Sequence, residues 1–146
     1  MFSGEYSHSI DTKGRVIVPA KFRESLGELF TISVGVDGCL TMYSKEEWDK
    51  FAEKLNSIPN GFKDTRKLQR TLMANTQTDC EVDKQGRVLI PANLRQYAGL
   101  EKEVVFAGVY SKVEIWSKER WDENNSLDSE NLSEMMEHLA SMDISF

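Results

Sequence analysis

The sequence predicts an α+β protein with a mainly β core, folded from two pseudo-symmetric repeats. Three observations predict it. Residues 9–27, SIDTKGRVIVPAKFRESLG, return as residues 81–99, EVDKQGRVLIPANLRQYAG, at a constant offset of 72. The identities are Asp11/Asp83, Gly14/Gly86, Arg15/Arg87, Val16/Val88, Pro19/Pro91, Ala20/Ala92, Arg23/Arg95 and Gly27/Gly99. That is eight of nineteen positions, where about one would match by chance at ordinary residue frequencies. Second, Ser44-Lys45-Glu46-x-Trp48 returns as Ser117-Lys118-Glu119-x-Trp121 at offset 73, so one extra residue fits an insertion in a connecting loop. Third, β-branched runs bounded by glycine and proline occupy both copies, while helical periodicity fills the stretch between them.

Each repeat opens with a strand ending near Ile10-Asp11 or Val82-Asp83. A turn follows, where Gly14 or Gly86 supplies the freedom at positive φ that a tight reversal needs. Arg15–Val18 and Arg87–Ile90 read as largely buried β-branched strands, stopped by Pro19 and Pro91. Short helices over Ala20–Leu26 and Ala92–Ala98 are closed by Gly27 and Gly99. Two further strands complete each repeat: Phe30–Val36 with Leu40–Tyr43, and Val104–Val109 with Val113–Trp116. Asp37-Gly38 marks the first of these hairpins.

Between the repeats, Ser44 and Glu47 form a capping-box pattern ahead of Trp48, Phe51, Ala52 and Leu55, which share one helical face. Pro59-Asn60-Gly61 breaks that helix. A second helix over 63–75 is expected to turn Leu68, Leu72 and Met73 inward and Lys63, Arg66, Lys67 and Arg70 outward. After the second repeat, a helix beginning at Ser117–Trp121 is interrupted by Asn124-Asn125-Ser126. A last amphipathic helix from about Asp128 sets Leu132, Met135, Met136, Leu139 and Met142 on one stripe. Such a stripe packs on its own core or meets a neighbouring subunit. The resulting division is unit 1 over 5–47, a helical connector over 48–75, unit 2 over 76–119 and an acidic helical segment over 120–146. Repeats of about 45 residues are too small for comfortable independent cores, so the halves are expected to share one.

The 146 residues are 40% apolar and 29% charged, with a formal net charge of −6. The charge is unevenly spread. Residues 121–146 hold seven acids and no Lys or Arg, leaving 18 bases against 17 acids in the rest. Within that near-neutral body, bases gather in the repeats: Lys13, Arg15, Lys21 and Arg23, then Lys84, Arg87 and Arg95. Such a patch governs encounter with an anionic partner more than net charge does. No apolar run approaches the roughly 20 residues of a membrane helix, and the N-terminal MFSGEYSHS lacks the basic start and apolar stretch of a signal peptide. A cytoplasmic, nucleoid-associated protein is expected. Cys39 and Cys80 are isolated from each other and from His8 and His138, so they read as buried structural thiols; no metal site or cofactor is expected.

The candidate binding residues are Asp11, Thr12, Lys13 and Arg15 in the first turn, and Asp83, Lys84, Gln85 and Arg87 in the second. An Asp and an Arg flanking a glycine turn can simply form a rigidifying salt bridge. Two exposed, donor-rich, rigid loops also suit a groove of double-stranded DNA. Lys and Arg bind phosphates, Arg forks onto guanine and Gln reads adenine. Asp11 and Asp83 would then orient the guanidinium groups and leave the DNA contact to them. Lys21, Arg23 and Arg95 on the short helices are further candidate phosphate contacts, or solvated helix faces.

The paired Asp-x-x-Gly-Arg-Val-x-x-Pro-Ala segments, each continued by x-x-Arg, resemble the MraZ family of bacterial transcriptional regulators. The resemblance extends to Phe2-Ser3-Gly4-Glu5-Tyr6 and the central helices. Each half resembles a SpoVT/AbrB-type DNA-binding unit, in which two copies interleave as a swapped-hairpin β-barrel. Here the resemblance implies an intramolecular barrel, ring-shaped homo-oligomers, and binding to short direct repeats upstream of a division and cell-wall gene cluster. The family's Asp-x-x-x-Arg motif maps onto Asp11–Arg15 and Asp83–Arg87. The basic turn residue is present as Lys13 but replaced by Gln85, which makes the first loop the stronger expected reader. A ring seated on a promoter would block polymerase, so repression is the expected sign.

An enzyme is not expected: His8 near Asp11 and Cys39 near Asp37 lack the supporting third group that catalysis needs, and no small-molecule substrate is evident. The rival to DNA binding is a protein-interaction or antitoxin-like module acting through the acidic C-terminal helix. The duplication and both intact arginine loops favour DNA.

Overall fold

A computed structural model describes residues 1–146. The first repeat contributes β1 (Glu5–Ser9), β2 (Arg15–Ile17), α1 (Ala20–Leu26), β3 (Phe30–Val34) and β4 (Leu40–Ser44). Two helices follow, α2 (Lys45–Ser57) and α3 (Lys63–Ala74). The second repeat runs β5 (Thr76–Cys80), β6 (Arg87–Leu89), α4 (Ala92–Ala98), β7 (Glu103–Val109) and β8 (Lys112–Ser117), before α5 (Lys118–Asn124) and α6 (Ser129–Ala140).

The repeats exchange their first strands. One antiparallel sheet has the order β1-β7-β8-β4-β3-β5. Strand β1 of the first repeat thus pairs with the β7–β8 hairpin of the second, and β5 of the second pairs with the β3–β4 hairpin of the first. The β4–β8 pair lies at the centre of this pseudo-symmetry. Strands β2 and β6 pair only with each other, as a separate two-stranded ribbon. The swapped pairing expected from the resemblance is present, whereas a closed hydrogen-bonded barrel is not. Three-residue strands at β2 and β6 are too short to bridge the sheet edges at β1 and β5.

A single cluster of 20 buried residues draws on both repeats, from Val16, Phe22 and Ile32 to Val88, Leu94 and Phe106. The halves therefore share one core, as their size demands. The ribbon alternates: Val16 and Val88 point into that core, while Ile17 is 39% and Leu89 59% exposed. The strands read as largely buried are thus buried on one face only, the period-2 behaviour of a covering ribbon. On the other side of the sheet, Cys39, Val105 and Trp116 pack under Trp121, and Tyr43 meets Trp48 and Phe51.

The single-insertion reading gives way to two compensating changes. Phe30 pairs with Ser44 and Val104 with Ser117, and at the far ends Val34 pairs with Leu40 and Gly108 with Val113. The second repeat is therefore two residues longer before its hairpin and one residue shorter within it. The Asp37-Gly38 signal lies in a 3₁₀ turn over Val36–Gly38, with both residues at positive φ, 70° and 78°. The matching turn of the second repeat is tighter and uses Tyr110 at φ 61°.

Helix α2 is capped as its pattern predicts, the Ser44 hydroxyl accepting from the Glu47 backbone N–H at 3.2 Å. Helix α3 departs from expectation: Leu72 is half-buried, but Leu68 and Met73 stand 48% and 49% exposed. Thr65 and Gln69 take the inward positions instead, and the Gln69 amide donates to the Leu55 carbonyl of α2. No helix is long and apolar enough to cross a membrane.

Both cysteines are free and buried. Burial pushes the Cys39 thiol up to about 12, with Glu114 and Asp37 adding to the effect. Burial raises Cys80 to about 11, against a backbone hydrogen bond from Ile32. The nucleophile is the thiolate, so the native chain at pH 8 is expected to resist iodoacetamide at both positions and to take two labels once denatured. Mass spectrometry of labelled native protein checks this; rapid single labelling would contradict the buried placement.

Candidate nucleic-acid interface

The two Asp-x-x-Gly-Arg turns are near-copies in geometry as well as sequence. In the first, Asp11 Oδ1 accepts from the backbone N–H of Lys13 (3.0 Å) and of Arg15 (2.8 Å). In the second, Asp83 Oδ1 accepts from Gln85 N and Arg87 N, both at 2.9 Å. The other carboxylate oxygen of each Asp accepts from its arginine's Nε, at 2.8 Å for Arg15 and 2.9 Å for Arg87. Each turn is closed by one backbone bond from the Asp N–H to the Arg carbonyl, and by glycine N–H donation to the Asp carbonyl. The Arg15 backbone N–H, then its guanidinium, holds the Asp11 carboxyl below its ordinary value against partial desolvation. Arg87 does the same for Asp83. Both carboxylates are thereby kept ionised and fixed.

The Nε bond orients each guanidinium and leaves its outer edge open. The two Nη groups of Arg15 take no hydrogen-bond partner within the chain. Arg87 Nη1 lies 4.0 Å from Asp11 Oδ2, so the second arginine leans toward the first turn. Ribbon register brings the two together: Arg15 is opposite Leu89 and Ile17 opposite Arg87. In an antiparallel ladder, directly paired residues share a face. Arg15, Ile17, Arg87 and Leu89 therefore form the outward face of the ribbon, two guanidiniums on one diagonal and two exposed aliphatic side chains on the other. Thr12, Lys13, Lys84 and Gln85 are exposed at the turns flanking this face.

The remaining candidates separate. Lys21 is exposed, with its ammonium 5.9 Å from the Tyr6 ring centroid. Arg23 and Arg95 are not on a free helix face. Each packs behind the other repeat's turn, so that a Cβ on Gly14 would sit 2.6 Å from the Arg95 guanidinium carbon, and one on Gly86 would overlap Arg23 Nη1. Arg95 Nε donates to the Ile90 carbonyl, while Arg23 Nε is buried without a partner. Backbone bonds tie the same units: Val18 N–H donates to Gly86 O at 3.0 Å and Ile90 N–H to Gly14 O at 2.9 Å. Arg23 and Arg95 are thus buttresses under the turns. Sequence reasoning could not place them, because their contacts cross between repeats. It also passed over Ile17 and Leu89, although strict alternation from Arg15 and Arg87 would have shown them on the same face.

The family model described as "MraZ protein, putative antitoxin-like" matches residues 1–71 and again residues 73–142. The chain belongs to the MraZ family. A "Transcriptional regulator MraZ" of Lachnoclostridium phytofermentans is 60% identical over 146 residues, covering 100% of both chains. Proteins of the same name from Thermoanaerobacter and Heliobacterium modesticaldum are 51% and 49% identical over 144 residues, each covering 99% of this chain and 100% of the relative. MraZ proteins are named for transcriptional regulation, not for catalysis, and the MraZ family is not an enzyme family.

Proposed function

We propose that this MraZ-family chain is a sequence-specific DNA-binding transcriptional regulator that reads DNA through its two arginine turns. The observation that carries the reading is the ribbon face itself. Two guanidiniums stand on one short ribbon, each clamped through Nε by its own aspartate. A clamped arginine loses little further freedom on binding, and its Nη edge matches the two acceptors of guanine in the major groove. Lys13 and Lys84 flank the face as phosphate contacts. Asp11, Thr12, Lys13 and Arg15 form the first reading element; Asp83, Lys84, Gln85 and Arg87 form the second. Lys21, exposed beside Tyr6, adds a phosphate contact. The names of the relatives support a regulator.

One chain presents only two such turns, too few for tight and selective binding. A ring of copies engaging short direct repeats upstream of a division and cell-wall gene cluster would gain avidity by effective concentration. The chain then acts from the cytoplasm on the nucleoid, as a repressor that blocks polymerase. In this reading residues 5–47 and 76–119 are the two DNA-binding units, 48–75 the connector and 120–146 the acidic helical segment.

Fluorescence anisotropy against duplex DNA from upstream of the chain's own gene tests this, with a scrambled duplex and a salt series alongside. Selective binding to the native duplex, with affinity falling steeply as salt rises, is the expected result. Equal weak binding to both duplexes would turn attention to the acidic C-terminal helix and a protein partner.

A further inference from the structure

The ribbon that carries the two arginines also carries two aliphatic side chains that play no part in the reading above. Ile17 and Leu89 are exposed, while their strand neighbours Val16 and Val88 are buried in the core. Register sets Leu89 directly opposite Arg15 and Ile17 directly opposite Arg87. Both are held in place from the strand ends, where Val18 N–H donates to Gly86 O and Ile90 N–H to Gly14 O. Single exposed aliphatics are ordinary on a protein surface and call for no partner. Here two of them alternate with two clamped guanidiniums on a ribbon of three-residue strands.

A face that served only to hold phosphates would gain nothing from them, since phosphate oxygens offer no apolar surface. The major groove admits a two-stranded ribbon, and the C5-methyl of thymine is the apolar group that its base edges present. Leu89 has room beside it for such a methyl. With Val82 it supplies the apolar lining of an open hollow of about 280 Å³, whose other walls are Arg15, Arg87, Asp83 and Glu81. The Asp83 carboxylate in that lining is already engaged by Arg87. Directly opposed Cβ atoms are about 4.5–5.5 Å apart, and successive bases on one strand rise by about 3.4 Å. An arginine seated on a guanine therefore holds the aliphatic opposite it within about two base steps of that guanine.

We propose that Ile17 and Leu89 are specificity-determining residues, each covering the C5-methyl of a thymine close to the guanine taken by the arginine opposite it. The proposal rests on the reading of DNA through the arginine turns and adds a second kind of contact to it. The arginines select guanine through hydrogen bonds. The aliphatics select thymine through apolar contact, and disfavour any base that lacks the methyl.

Replacing every thymine of the native upstream duplex by deoxyuridine removes the C5-methyl groups and leaves every hydrogen-bonding edge in place. Anisotropy titrations compare the native, the uracil-substituted and the scrambled duplex. They use the wild-type chain and a variant in which Ile17→Ser is combined with Leu89→Ser. Wild type is expected to bind the uracil duplex about fourfold more weakly for each methyl covered, the effect of losing one buried carbon. The serine variant is expected to bind the native and uracil duplexes alike, while its arginines still prefer the native duplex to the scrambled one. Both replaced side chains are exposed, so its far-UV circular dichroism spectrum is expected to match wild type. Equal wild-type affinity for the native and uracil duplexes overturns the methyl contacts and leaves the arginine reading standing. That comparison uses the wild-type chain alone and does not depend on the variant folding. An equal loss in wild type and variant also overturns the contacts, because the methyls then act through the shape of the duplex. A wild-type chain with no preference for the native over the scrambled duplex overturns the arginine reading and this proposal together.

Discussion

Arg15→Ala combined with Arg87→Ala is expected to lower affinity for the native upstream duplex by about 100-fold or more, and to erase the preference for it over a scrambled duplex. Each good bidentate arginine–guanine contact carries about 1–3 kcal/mol of discrimination, and about 1.4 kcal/mol is a factor of ten. The losses from two contacts per chain multiply as factors in affinity. The lysine pair, Arg15→Lys with Arg87→Lys, separates charge from geometry. Lysine keeps the positive charge but has no planar fork and no Nε to be held by Asp11 or Asp83. The lysine variant is therefore expected to retain salt-dependent binding to any duplex while losing selectivity. Anisotropy titrations with native and scrambled DNA measure both quantities. If the ratio of the two affinities is unchanged in the alanine variant, the ribbon face is not what reads DNA.

The turns were legible in the sequence because duplication writes the same local chemistry twice. Asp-x-x-Gly-Arg specifies its own hydrogen bonds within five residues, and no distant contact is needed to form it. Short helices punctuated by Pro19, Gly27, Pro91 and Gly99 were legible for the same reason. What escaped was whatever depends on the other repeat. Arg23 and Arg95 carry the composition of phosphate-binding residues, yet each is placed by a glycine in the opposite half. The pairing of β1 with β7 joins residues nearly a hundred positions apart and leaves no local signature. The open sheet, in place of a closed barrel, depends on the brevity of β2 and β6, and β propensity does not encode strand length. On α3, Leu68 and Met73 satisfy the hydrophobic pattern of a buried face, but the single chain offers nothing to cover them. A periodic apolar stripe shows that a helix is amphipathic and does not say what covers its apolar face.

Phe106→Ala is expected to be the most damaging of the single core truncations, because the exchange of strands makes this side chain common to both repeats. Phe106 is fully buried. It lies on β7, opposite Tyr6 of the first repeat on one side and Ile115 of the second on the other, and its ring is 6.3 Å from that of His8. Emptying such a site removes about 3–5 kcal/mol through lost burial and the cavity left behind. At roughly 2–4 °C per kcal/mol for a chain of this size, Tm is expected to fall by about 6–20 °C. The form of the transition is more informative than its midpoint. Two independent units would leave residues 5–47 intact while the second repeat melts. A shared core has no such option, since β1 needs β7 and β5 needs β3. Trp48 reports from the connector, Trp116 and Trp121 from the second half, and circular dichroism from the backbone of both. Melts at one fixed protein concentration, which removes any shift from assembly, are expected to give coincident single transitions for wild type and variant alike. Two separated transitions in Phe106→Ala would mean that each repeat holds a core of its own, and that the exchanged strands decorate it without joining it.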